Sequence, residues 1–121
     1  MGASVSPAAG GGKAIPPQAE RPGSVVFEET AGPIRVRLAG AIDAVLAPRL
    51  DAVVTAVAAG QPADVRLELA EVDFLGSHGM AFLVRVQHTA GAAGRRVRIE
   101  AISPSARLAL RIAGLEEFFL P

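Results

Sequence analysis

The 121-residue chain contains no cysteine, no tryptophan and no tyrosine. Without cysteine there is no disulfide, no thiolate zinc site and no thiol nucleophile. Without Trp and Tyr there is no platform of stacking aromatics for single-stranded nucleic acid. A surplus of positive charge is missing too, because 12 Lys and Arg balance 12 Asp and Glu. Most of the arginines are scattered singly, whereas a nucleic-acid binder clusters its basic residues on one face. The two histidines, His78 and His88, lack the spacing and carboxylate company of a metal site, so neither metal nor cofactor is expected. No apolar run approaches the roughly 20 residues of a membrane helix. A basic stretch followed by an apolar core, the mark of a secretory signal, is not seen at the N-terminus. What is present is a globular composition, 50% apolar and 20% charged. The expectation is one cytoplasmic domain without membrane insertion.

Residues 1–23 are rich in Gly, Pro, Ala and Ser without periodicity and read as a flexible tail. Met1 to Ser6 fits the loose myristoylation pattern, but nothing else in the chain looks membrane-directed. Gly12-Lys13 is not a phosphate loop, since Ala14 replaces the required Ser or Thr and no strand precedes it.

Ordered structure is expected over residues 24–121. Residues 24–29 and 33–39 alternate and are rich in β-branched residues, with Thr30-Ala31-Gly32 between them, which predicts a hairpin. Gly40-Ala41-Ile42-Asp43 breaks that pattern. Leu46, Leu50, Val53, Val54 and Val57 then recur at helical spacing, with Pro48 in the first turn and Gly60 as the stop. Residues 64–70 alternate as a strand, with Val65, Leu67 and Leu69 on one face, and a loop over 71–76 follows. A helix from about Ser77 to Ala93 carries Met80, Leu83, Val84, Val86 and Ala90, and the Met80, Leu83 and Val84 stripe is expected to face the core. Residues 95–101 form the last strand. Ser103-Pro104 opens a short helix that Gly114 stops. The order β-β-α-β-α-β-α predicts an α/β fold, a mixed β-sheet packed with helices, with parallel pairing after the hairpin.

The quartet Gly76-Ser77-His78-Gly79 lies between a strand pattern and a helix pattern. Ser77 has three readings. As a hydrolase nucleophile it would need glycine two residues before it, where Leu75 stands, and a histidine base from elsewhere in the fold. As a helix N-cap its hydroxyl would accept an amide of the first turn, a role worth about 1 kcal/mol. The third reading is a phosphorylation site.

The order of landmarks favours the third. Gly40-Ala41-Ile42-Asp43, Leu67-Glu68-Leu69-Ala70, the apolar Val72-Asp73-Phe74, the quartet, Ile102-Ser103-Pro104-Ser105 and Gly114-Leu115 together resemble the STAS domain. Within it they resemble the anti-sigma factor antagonist family of bacteria. The resemblance covers residues 24 to 120 and implies a STAS-type sheet-and-helix fold and a non-enzymatic partner switch. The implied partner is an anti-sigma factor of the ATP-binding serine-kinase type, which phosphorylates the first serine of the family's quartet and so breaks the complex. Ser77 occupies that position, and Asp43, Gly76, His78 and Gly79 line the implied contact surface. Asp43 also reads as a cap for the helix after it. The chain departs from the family at two places. Gly76 replaces an aspartate, and His78 replaces a Ser or Thr. Two other readings stay open: a non-switching STAS subunit or scaffold of a transporter or stress-signalling complex, and a small serine hydrolase.

Overall fold

The computed structural model describes residues 21–120. The strands are β1 (Ser24–Glu28), β2 (Ile34–Ile42), β3 (Val65–Leu75) and β4 (Val97–Ile102), and they form one sheet in the order β1-β2-β3-β4. β1 and β2 make the antiparallel hairpin, and β2-β3 and β3-β4 pair in parallel. The helices are α1 (Ala47–Ala59), α2 (Ser77–Ala92), α3 (Pro104–Ile112) and α4 (Glu116–Phe119), and a single 3-10 turn (Ala44–Leu46) precedes α1. Most of the expected order holds, with the 3-10 turn and α4 added. The myristoylation-like and phosphate-loop-like stretches lie outside the described residues.

One face of the sheet is apolar and dry. Ile34, Val36 and Leu38 of β2 and Val65, Leu67 and Leu69 of β3 are fully buried, and Leu50 and Val57 of α1 and Phe82, Leu83 and Val86 of α2 pack into the same core. The other face carries charge. Arg35 donates to Glu68 at 3.2 Å and to Glu100 at 2.9 Å, and Arg37 donates to Glu68 at 3.1 Å. These half-exposed pairs tie three strands in register but add little stability, because solvent screens them.

Three expectations need correction. β2 does not stop at Ala39. It continues to Ile42 because Gly40, at φ +74°, adopts a left-handed conformation that glycine tolerates. The expected loop over 71–76 is mostly strand, since β3 runs on to Leu75. Its register against β2 shifts between Arg37 and Ala39 and again between Gly40 and Ala41, so β3 carries an extra residue at each place. Such bulges break simple alternation, and Ala70 and Glu71 are consecutively exposed. On α2, Val84 is 44% exposed while Phe82 is buried, so the core stripe is Phe82, Leu83, Val86 and Ala90 rather than one that includes Val84.

The expected start of the domain at Ser24 falls inside a segment that touches the sheet. The Ala41 amide donates to the Arg21 carbonyl at 2.9 Å, and Arg21 grips Asp73 with its backbone amide and guanidinium. Gly23 and Gly40 both lie where a Cβ would strike backbone of the opposing segment. Composition cannot reveal such a clamp, because it depends on a partner 52 residues away.

Two tests follow from this packing. Leu67→Ala and Leu83→Ala should each destabilise by about 2–5 kcal/mol in urea titrations, as buried leucines do, whereas Val84→Ala should stay within about 0.5 kcal/mol. The second test uses pH. The Asp73 carboxyl is held below the usual carboxylate range, first by the Arg21 side-chain hydrogen bond and then by the Arg21 amide. A lowered folded pKa gives stability that is present above the ordinary value and lost as pH falls through the folded value. The small stability difference between wild type and Arg21→Ala should therefore be full at neutral pH and close in acid below 3.8, the ordinary value. A difference that persisted into strong acid would show the Arg21–Asp73 pair contributes nothing.

Candidate functional site

Because β2 and β3 run in parallel, their carboxyl ends lie side by side, the usual place for a binding site in an open α/β sheet. Ile42 and Leu75 are cross-strand partners, so Asp43 and Gly76, each one residue further on, emerge together. The Gly76 amide donates to the Ile42 carbonyl at 2.9 Å and locks the two exits. α2 begins at once. Met80 donates the first helical bond to Gly76 at 2.9 Å, which leaves the amides of Ser77, His78 and Gly79 outside the intrahelical pattern.

Gly76, in extended conformation at φ −85°, ψ −172°, is the N-cap, and it has no side chain to cap with. Ser77 is therefore the first helical residue and not the cap expected of it. It is exposed, and among the described residues its hydroxyl makes no hydrogen bond. The opposite case stands nearby. Ser103 is buried, donates to the Val72 carbonyl at 2.6 Å and accepts from the Ala106 amide at 3.1 Å as the N-cap of α3. One serine is consumed by structure and the other is left over.

The other expected site residues divide. His78 is exposed in the first turn of α2. Asp43 is half-buried, and its Oδ1 accepts the Val45 amide at 3.2 Å, which caps the 3-10 turn. Gly79 does not line the surface. It is buried, and a Cβ there would meet Leu75 Cδ1 at 2.5 Å and Ile42 Cγ2 at 2.8 Å, so it is the point where α2 rests on the strand ends. His88 lies eleven residues beyond Ser77 on the same helix, about 16 Å away at the standard rise. It cannot act as a base for Ser77, and the hydrolase constellation does not assemble.

Three residues here escaped the sequence reading. Val45 is 90% exposed, Phe74 is 42% exposed, and Arg21 lines a cleft of about 330 Å³ with Asp43 and Val45. The Phe74 ring covers Gly76, where a Cβ would meet its Cε2 at 2.8 Å. Exposed apolar side chains beside a polar pivot mark a protein-contact surface better than a small-molecule pocket. A signal was available at Val45, an apolar residue immediately before Leu46 and out of phase with the Leu46–Leu50 stripe. Among the described residues no His, Cys, Asp and Glu group suits a metal ion, and no helix is long and apolar enough to cross a membrane.

The local roles separate under mutation. Ser77→Ala should change stability by less than about 0.5 kcal/mol in urea titrations, because no cap is lost. Gly79→Ala, two residues on, should cost about 1–3 kcal/mol by overpacking against Leu75 and Ile42. A loss near 1 kcal/mol for Ser77→Ala would restore a capping role.

Residues 25–121 match the family described as "Mlab, STAS domain". Among solved structures, an anti-sigma factor antagonist from Mycobacterium paratuberculosis is 30% identical, with a TM-score of 0.70 over 82% of this chain and 85% of that one. The anti-sigma factor antagonist SpoIIAA in its unphosphorylated form is 19% identical, with a TM-score of 0.69 over 79% of this chain and 85% of that one, a likeness of fold. No curated protein matches significantly.

Proposed function

The chain belongs to the STAS domain family, and from that membership we propose that it is an anti-sigma factor antagonist that works by binding rather than turnover. In this reading the partner is an anti-sigma factor of the ATP-binding serine-kinase type, met in the cytoplasm. The domain is residues 24–121, clamped at its start by Arg21–Gly23. The contact surface is the carboxyl end of β2 and β3, where Asp43, Val45, Phe74, Gly76 and His78 surround Ser77.

One observation carries the proposal: Ser77 is exposed at the first position of α2 and serves no structural bond among the described residues. A phosphate there adds nearly two negative charges next to unpaired amides and the positive end of the helix dipole, so the domain tolerates it. A partner packed on Val45 and Phe74 would not, because it would have to bury that charge. The same site thus accepts two states and shows the partner different surfaces.

A second reading is favoured by Gly76. The family acid is absent there and Phe74 fills the space above. A STAS subunit that binds constitutively, as a scaffold of a transporter or stress-signalling assembly, would use the same apolar surface without modification.

The two readings part on three variants. Ser77→Asp should keep the fold yet weaken the partner, captured from the native host, by about tenfold or more, the effect of a buried unpaired carboxylate. Ser77→Ala should bind as wild type and take up no phosphate from the captured kinase. Val45→Asp should weaken binding in either reading. Equal affinity for Ser77→Asp and wild type, with no phosphate on Ser77 by intact mass, would leave only the scaffold.

A further inference from the structure

The far end of α2 carries a feature that the Ser77 surface does not explain. Val84, His88 and Gly91 recur at i, i+4 and i+7 along one exposed stripe, and Leu115, Phe118 and Phe119 of the C-terminal segment face them. Between lies a trough of about 480 Å³, open to solvent along its exposed lining. Phe118 is 63% exposed on its wall. The stripe starts seven residues from Ser77, about 10 Å along the helix, and extends away from it.

Gly91 keeps the trough open. It lies within α2, where glycine costs up to about 1 kcal/mol relative to alanine. Nothing inside the fold requires it, because a Cβ there would meet only Gln87 Nε2, at an ordinary 3.5 Å.

Charge says what kind of occupant. A second hollow shares Gln87, Phe118 and Phe119 with the trough and adds Arg95, Arg96 and Arg98. Arg95 spends its guanidinium on the Ala63 and Val57 carbonyls, at 2.7 and 3.2 Å, and leaves Nη2 without a partner. The side chains of Arg96 and Arg98 join none of the ion pairs among the described residues. Glu117, close in sequence, lines a different hollow with Arg111. The surface is thus an apolar channel flanked by positive charge. A second copy of this chain offers no acidic stripe for Arg96 and Arg98, because its exposed apolar helix face, Leu108 and Ile112 on α3, is bordered by Arg107 and Arg111, whose charge is already spent on Glu116.

We propose that the trough between α2 and α4 is a second docking surface, for an amphipathic helix of a partner protein whose apolar stripe carries acidic residues on one flank. Apolar anchors at i, i+3 or i+4 and i+7 fill a trough of this length, and the acidic flank meets Arg96 and Arg98. A helix suits it better than a single acyl chain, which needs enclosure on most sides.

The chain's lack of tryptophan makes the test direct. The probe is a synthetic helix of about four turns, with leucines at those spacings, one tryptophan among them, and glutamates along one flank. Binding is read as a blue shift of its emission on titration with the full chain, at low and high salt. The expected result is saturable binding that weakens with salt. It should weaken about tenfold or more in Gly91→Leu, which fills the trough, and in Phe118→Ala, which removes its wall. Arg96→Glu with Arg98→Glu should abolish the preference over a control helix bearing lysines on the flank. Ser77→Asp should bind the probe as wild type does. Circular dichroism establishes that each variant is folded, and Phe118→Ala carries the test if Gly91→Leu is not. Equal binding of acidic and basic helices, no effect of either trough variant, or no binding up to the probe's solubility limit would overturn the proposal. So would binding only to vesicles of anionic phospholipid, or self-association of the chain that Gly91→Leu removes.

Discussion

The seat of the first turn of α2 on the paired ends of β2 and β3 fixes everything at the candidate site. Two contacts make it: the Gly76 amide on the Ile42 carbonyl, and the bare Gly79 on Ile42 and Leu75. The seat requires the strands to end level. Both leave a paired start, Ile34 opposite Val65, yet β2 has nine residues and β3 eleven. The two bulges in β3 absorb the difference and return Ile42 and Leu75 to one rung. Without them the helix would begin two residues out of step, and Ser77 would face elsewhere. The irregularity of β3 is therefore part of how the site is built.

That seat also explains why glycine, rather than a capping residue, precedes the helix. An N-cap with a side chain would place an acceptor over the free amides of the first turn. Gly76 leaves them open, and Ser77 stands at the edge of that opening with an unengaged hydroxyl. At α3 the chain solves the same problem the ordinary way, with Ser103 spending its hydroxyl on both a cap and a strand carbonyl. The difference between the two helix starts is a difference in what remains for a partner or an incoming phosphate to meet.

The sequence reveals the elements better than their ends. The hairpin, α1 with its Pro48 start and Gly60 stop, and the Ser103-Pro104 entry to α3 rest on local chemistry, and each appears where composition places it. Alternation locates β3 as far as Ala70 and then fails, because a bulge shifts the inward phase by one residue and periodicity cannot see past it. Gly40 misleads in the same way: a glycine that reads as a strand breaker is instead the residue that lets β2 bend past Arg21 and Pro22. On α2, Val84 and Phe82 flank the boundary of the buried arc, and only the packing of α2 against α1 and the sheet settles which one faces inward. At the site, Ser77 and Asp43 are legible as types in a pattern. Phe74 and Arg21 are not, since their importance lies in contacts across the fold.

Phe74 bears most on how the site can work. An aspartate in place of Gly76 would contest the space its ring occupies, at 2.8 Å from the nearest ring atom. An acid at that position and the Phe74 ring as it lies over the helix start are therefore alternatives. This chain has the ring. Lying over Gly76, it makes the approach to Ser77 apolar where a carboxylate would make it polar. An apolar surround raises the penalty for introducing charge, because a partner seated on it offers no water and no ready counter-ion. In the proposed switch, losing the acid therefore does not weaken the response to phosphate. It moves recognition from a polar contact toward burial, and burial is what a dianion on Ser77 would most strongly oppose.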